Sequence, residues 1–260
     1  MSAPPAPADA LVLDGLPKAF GPTVAVDHLD LTVSTGSFFG LVGRNGAGKT
    51  TTLRMCTGLL EPDAGHVRVD GVDVWEQPQE AKRRIGVMPE SMDVFDRLTG
   101  AELLLYNGLL RGMPRDLVVQ RSRELLAVLE MDDAADRTVA DYSHGMTKKI
   151  ILAAALLHGP KVLFLDEPFE AIDPVSTRAI EAVLRRHVDQ GGTVLFSSHV
   201  LDVVERLCDR LAVIDHGRVR ATGTLDEVRG GRRLEDAFMD LIGQGDVDTE
   251  DLSWLGTSSG

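Results

Sequence analysis

Gly43-Arg44-Asn45-Gly46-Ala47-Gly48-Lys49-Thr50 fits the phosphate-loop pattern G-x-x-x-x-G-K-[ST] at every fixed position. An apolar run, Phe38-Phe39-Gly40-Leu41-Val42, leads in as a strand, and Thr50-Thr51-Thr52-Leu53-Arg54-Met55 leads out as a helix. Glycines let such a loop curl until successive N–H groups point inward at phosphates, and the new helix adds the positive end of its dipole. Lys49 then reaches the β- and γ-phosphates, and Thr50 ligates Mg²⁺. A Gly-rich turn that merely packs tightly would have no reason to fill every fixed position. The stretch implies a nucleoside triphosphate site.

Working outward, 260 residues leave ample chain for a buried core in one large α/β domain or two small ones. A formal charge of −13 argues against nucleic acid or anionic lipid as a broad electrostatic partner. Cys56 and Cys208 lie far apart in predicted helices and read as core fillers, not as a disulfide framework. No apolar run approaches the roughly 18 to 20 residues needed to cross a bilayer, so direct lipid insertion is not expected. The Pro/Ala-rich start has neither the basic nor the apolar region of a signal peptide and reads as a disordered lead over 1–8. From Gln244 onward the chain is acidic and Gly/Ser-rich, a flexible tail over 244–260.

Alternating apolar positions (Val24, Val26, Leu29, Leu31, Val33) predict half-buried antiparallel strands, and His66 to Val74 predicts a hairpin turning at Asp70-Gly71. Continuous apolar runs at Leu41-Val42, Ile85–Met88, Val162–Leu165 and Thr193–Phe196, separated by helical stretches, predict a parallel sheet covered on both faces. A helix-rich insertion lies between them, over about 91–158. Thr99-Gly100-Ala101-Glu102 opens its first helix with a capping box, Asp116 to Leu129 forms a second, and a third starts near Ser143 and stops at Gly159-Pro160. Leu211–Ile214 and Arg218–Arg220 flank His216-Gly217 as a further hairpin.

Val162-Leu163-Phe164-Leu165-Asp166-Glu167 is an apolar strand that ends in two carboxylates, at the edge where parallel sheets bind ligands. Asp166 is placed to hold Mg²⁺, and Glu167 to polarise the attacking water.

With these motifs in order, the chain resembles the ATPase subunits of ABC transporters from Leu11 to Gly243. The resemblance implies a P-loop α/β core with a mainly parallel sheet, an antiparallel β-subdomain and an inserted helical subdomain, all within 9–243. It implies ATP and Mg²⁺ as ligands. Phe20 stands where the family stacks an aromatic ring on adenine, and Gly43 to Thr51 (Gly43, Arg44, Asn45, Gly46, Ala47, Gly48, Lys49, Thr50, Thr51) form the nucleotide cradle. Glu90 occupies the position of the switch-loop glutamine and joins Thr50 and Asp166 as the implied metal ligands. Tyr142-Ser143-His144-Gly145-Met146 stands where Leu-Ser-Gly-Gly-Gln is expected, with Ser143 and Gly145 as the nucleotide-facing residues. Ser143 and Asp173 would each also serve as a plain helix N-cap; Asp173, after Ala171-Ile172, matches the dimer contact, and His199 the switch histidine.

His144, Met146 and Glu90 depart from the family pattern. The form Tyr-Ser-x-Gly-Met, the acid in the switch loop and Leu234-Glu235-Asp236-Ala237-Phe238 look like the exporter branch, whose ATPase and membrane subunits are separate chains. Glu167 and His199 are then the catalytic pair, the partners are a membrane permease and a second ATPase subunit (identical or a close paralogue), and the location is the cytoplasmic face of the membrane. Two alternatives from the same resemblance are a non-transport ATPase acting on ribosomes or DNA, and a weakly active regulatory subunit of a heterodimeric pair. The acidic charge disfavours the nucleic-acid role.

Overall fold

The computed structural model describes residues 9–90 and 95–243. The lead over 1–8, the tail over 244–260 and the first residues of the expected insertion, 91–94, lie outside the described residues.

The chain opens with β1 (Asp9–Phe20) and β2 (Thr23–Ser34), an antiparallel pair whose alternating burial follows its alternating hydropathy. β3 (Phe38–Val42) is buried throughout and runs into α1 (Lys49–Cys56). β4 (His66–Val69) and β5 (Val72–Asp73) form the expected hairpin, with positive φ at both Asp70 and Gly71. α2 (Pro78–Arg84) leads to β6 (Ile85–Met88). The inserted helices follow: α3 (Gly100–Leu110), α4 (Arg115–Val128) and α5 (His144–Leu156). Thr99 and Glu102 close the capping box at the start of α3. The remainder alternates β7 (Val162–Asp166), α6 (Pro174–Asp189), β8 (Thr193–Ser198), α7 (Leu201–Leu207), β9 (Arg210–Asp215), β10 (Arg218–Thr224), α8 (Leu225–Arg229) and α9 (Leu234–Leu241).

Two sheets result. β2-β1-β4-β5 is wholly antiparallel; β10-β9-β3-β8-β7-β6 is parallel except for its β10 edge. Because side chains alternate along each strand, the larger sheet feeds two cores. Phe39, Leu41, Phe164, Leu195 and Ile214 pack toward the antiparallel sheet and α1. Phe38, Leu163, Leu165, Phe196 and Val213 pack toward the helices, where Phe196 meets Phe38 and Phe169 edge to face. Among the described residues no helix is long and apolar enough to cross a membrane.

Cys56 ends α1 as expected, but Cys208 sits just past α7, at the turn into β9, because the helix closes at Leu207. Both thiols are free and buried, and burial pushes both above their ordinary range, as befits inert core fillers.

Leu104, fully buried among α3, α4 and α5, tests the insertion as part of one folded unit. Leu104→Ala should cost about 2–5 kcal/mol in denaturant unfolding without moving nucleotide affinity more than a few-fold.

Candidate functional site

Backbone geometry builds the loop between β3 and α1. Gly48 adopts φ 106°, and a Cβ there would lie 2.5 Å from the carbonyl oxygen of Ala25; a Cβ on Gly43 would lie 2.4 Å from that of Ile214. Only glycine fits either place. The His216-Gly217 turn braces the loop from below, with the Gly217 N–H donating to the Ala47 carbonyl at 2.9 Å. Arg44, Asn45 and Gly46 form the exposed tip, whereas Gly43 and Ala47 are buried beneath it. No side chain caps α1, so its first N–H groups have no competing side-chain acceptor at the cap.

Lys49, 6% exposed, folds back across the loop. Its Nζ donates to the Gly43 carbonyl at 2.7 Å and the Arg44 carbonyl at 3.3 Å, and stands 3.4 Å from Oε1 of Glu167. Thr50 Oγ1 donates to Oδ1 of Asp166 at 3.3 Å. The parallel register pairs Asp166 with Ser197 on β8. Ser197 Oγ donates to Asp166 Oδ1 at 2.5 Å and accepts the Glu167 N–H at 2.9 Å, so one hydroxyl orders both carboxylate residues.

Glu167 takes a left-handed backbone, φ 47°, unusual for a residue with a Cβ. That turn aims its carboxylate back at the loop. Oε1 lies 3.0 Å from Nδ1 of His199, yet it is buried with no aligned hydrogen bond. Such an orphaned acceptor suits a site that receives a water or a ligand. The hard oxygen donors of Thr50 and Asp166 fit Mg²⁺, and Glu90 stands at the rim of the same cleft.

Phe20, the half-exposed end of β1, faces this cleft together with Arg44, Asn45, Gly46, Gly48, Lys49, Thr50, Thr51, Glu90 and Glu167. Ser143 and Gly145 do not line it. Ser143 caps α5, its Oγ accepting the Met146 N–H at 3.3 Å, and His144 beside it is exposed. Asp173 caps α6, its Oδ1 accepting the Val175 and Ser176 N–H groups at 2.9 Å each. Those bonds, Ser176 first, hold its carboxyl below the ordinary carboxylate range. The two caps touch through Gly145, where a Cβ would sit 3.0 Å from Ser176 Oγ and 3.2 Å from Asp173 Oδ2.

Sequence reasoning passed over two residues. Ser197 is one serine of a pair ending an apolar strand, and only strand register reveals its partners. Lys148 is buried in α5 and donates to the backbone carbonyls of Glu167 and Glu170. The signal for it was a lysine pair at the head of the apolar run Ile150–Leu157.

Residues 26–170 match the family model described as ABC transporter. The chain is 43% identical to the daunorubicin/doxorubicin resistance ATP-binding protein DrrA of Streptomyces peucetius, over 86% of this chain and 68% of that one. It is 38% identical to the ABC transporter ATP-binding protein NatA of Bacillus subtilis, over 82% and 87% of the two chains. A solved ATP-binding subunit of an ABC transporter superposes with a TM-score of 0.84 at 28% identity, covering 89% of this chain and 99% of that one.

Lys49→Ala should weaken ATP binding roughly 10- to 100-fold, the worth of one or two charged hydrogen bonds. Titration calorimetry with Mg-ATP reads this directly; unchanged affinity would remove Lys49 from the site.

Proposed function

The chain belongs to the ABC transporter family as an ATP-binding, ATP-hydrolysing protein, and from that premise we propose that it powers export by pairing with a second ATPase copy beneath a separate membrane permease. The observation that carries the pairing is the separation of Ser143 and Gly145 from the cleft of Lys49, Thr50 and Glu167. One copy presents a phosphate cradle and two acids but no capping helix end opposite them. A second copy, related head to tail, supplies its own Ser143 and Gly145, and each copy completes the other's site. Export as the direction is supported by relatives named for drug resistance and by one named a Nod factor export ATP-binding protein, from Rhizobium, at 38% identity.

In this reading each residue has one task. The Phe20 ring stacks on adenine. N–H groups from Gly43 to Thr51 surround the phosphates, and Lys49 exchanges its loop carbonyls for β- and γ-phosphate oxygens. Thr50 and Asp166, with Glu90 beside them, would hold Mg²⁺, which would offset phosphate charge. Glu167 accepts the proton of the attacking water through the Oε1 that has no aligned hydrogen bond, and His199, 3.0 Å away, orients that carboxylate and the terminal phosphate. Asp173, beside Gly145 on the exposed α6 cap, lies in the contact between copies. The domain over 9–243 does this work at the cytoplasmic face of the membrane, held there by the permease. A helix of that permease docks in the groove between the core and the helical subdomain near Glu90.

Glu167→Gln tests the scheme, since it keeps the local shape but loses the proton acceptor. The variant should bind Mg-ATP, turn it over at least roughly 100-fold more slowly, and elute as a stable dimer on size exclusion, with its permease or paralogue added if closure requires it. Adding Ser143→Arg should leave ATP affinity nearly unchanged yet return the protein to a monomer, because the serine meets the other copy's nucleotide. A double variant that dimerises as well as Glu167→Gln alone would reduce Ser143 to a helix cap.

A further inference from the structure

Lys148 occupies the fifth position of α5, is only 4% exposed, and sits behind the catalytic carboxylate and not in the nucleotide cleft. A lysine this deep normally costs stability, and burial pulls its pKa below the usual lysine range. Four acids oppose that shift: Glu170 most strongly, then Glu167, Glu90 and Asp166. The ammonium spends its hydrogen bonds on peptide carbonyls, Glu167 O at 2.6 Å and Glu170 O at 2.8 Å.

Those carbonyls lie between two residues with left-handed backbone. Glu167 has φ 47° and Ala171 φ 54°, two left-handed residues with side chains within five positions. Ser197 Oγ already accepts the Glu167 N–H at 2.9 Å. Both backbone polar groups of Glu167 are therefore held by side chains, one from β8 and one from α5. A residue in an unfavourable backbone state needs such restraint, because rotation of either flanking peptide would swing the carboxylate away from Lys49 and His199.

We propose that Lys148 is a positioning residue for ATP hydrolysis: its ammonium clamps the Glu167 and Glu170 carbonyls and so holds the Glu167 carboxylate at the reacting water. This rests on the reading of Glu167 as proton acceptor. The role requires three features of lysine together: length to reach from α5, more than one donor, and a charge that the surrounding acids stabilise. A methionine would fill the volume and supply none of the donors.

The test uses the full chain with Mg-ATP, measuring turnover and, separately, equilibrium ATP binding. Lys148→Met should lower kcat roughly 10- to 100-fold with ATP affinity within about 3-fold, because the cradle does not depend on Lys148. Lys148→Arg, which keeps charge and donors, should retain at least about a third of wild-type kcat. In the Glu167→Gln background, Lys148→Met should change the single-turnover rate by less than about 2-fold, since a residue acting through Glu167 has nothing left to position. A general structural role would instead weaken ATP binding and multiply with Glu167→Gln. If Lys148→Met does not fold, Lys148→Gln, which keeps an amide NH₂ donor group without the charge, is judged by the same two criteria. Undiminished kcat, or an equal loss in both backgrounds, overturns the proposal for Lys148 alone. Wild-type turnover by Glu167→Gln would instead overturn the hydrolysis scheme and the proposal with it.

Discussion

The parallel pairing of β8 with β3 on one side and β7 on the other is the constraint on which the site depends. Its register sets Val42 beside Ser198 and Asp166 beside Ser197. Three strands therefore end together, and the chain leaves each end with a different chemical group: a phosphate-type loop after Val42, two acids at Asp166 and Glu167, an imidazole at His199. A slip of one residue would turn Asp166 to the opposite face and separate Ser197 from both acids. The apolar packing on both faces of this sheet is what makes such a slip costly. The chemistry at the edge is thus fixed by hydrophobic burial in the middle.

Buried cations are interleaved with the acids of the site. The chain carries −13, yet two buried lysines flank Glu167, Lys49 in front and Lys148 behind. Both use their protons on backbone carbonyls, and Lys49 is the one that faces the cleft. This division has a physical logic. Lys49 can exchange loop carbonyls for phosphate oxygens at little cost, since both are acceptors of similar reach. Lys148 has no ligand to turn to, so its bonds are structural for as long as the Glu167 turn persists.

How much of this was legible from residues alone follows from the range of each interaction. The phosphate loop was readable because its requirements are local: glycine where a Cβ would strike Ala25 or Ile214, lysine and threonine at the start of a helix. The hairpin at Asp70-Gly71 and the capping box at Thr99 were readable for the same reason. Ser197 and Lys148 were not, because a serine after an apolar strand and a lysine in a helix acquire meaning only from what lies opposite. Those partners are 31 and 19 residues away, and register and helix packing select them. Cys208 was placed inside a helix for a related reason. The apolar pattern runs through Leu207 and Cys208 as far as the charged pair Asp209-Arg210, and nothing within it separates Cys208 from the helix.

The segment from Glu167 to Asp173 joins these separate facts. At one end it carries the carboxylate that faces Lys49; at the other it caps α6 beside Gly145, against the helix end that Ser143 caps. Seven residues thus span from the cleft to the surface where α5 presents its N-terminus. Lys148, five positions beyond Ser143 in sequence, reaches back from α5 to the near end of that segment. A displacement of α5 is then hard to separate from a displacement of Glu167, because the two are bound through a buried charge and not through compliant surface contacts.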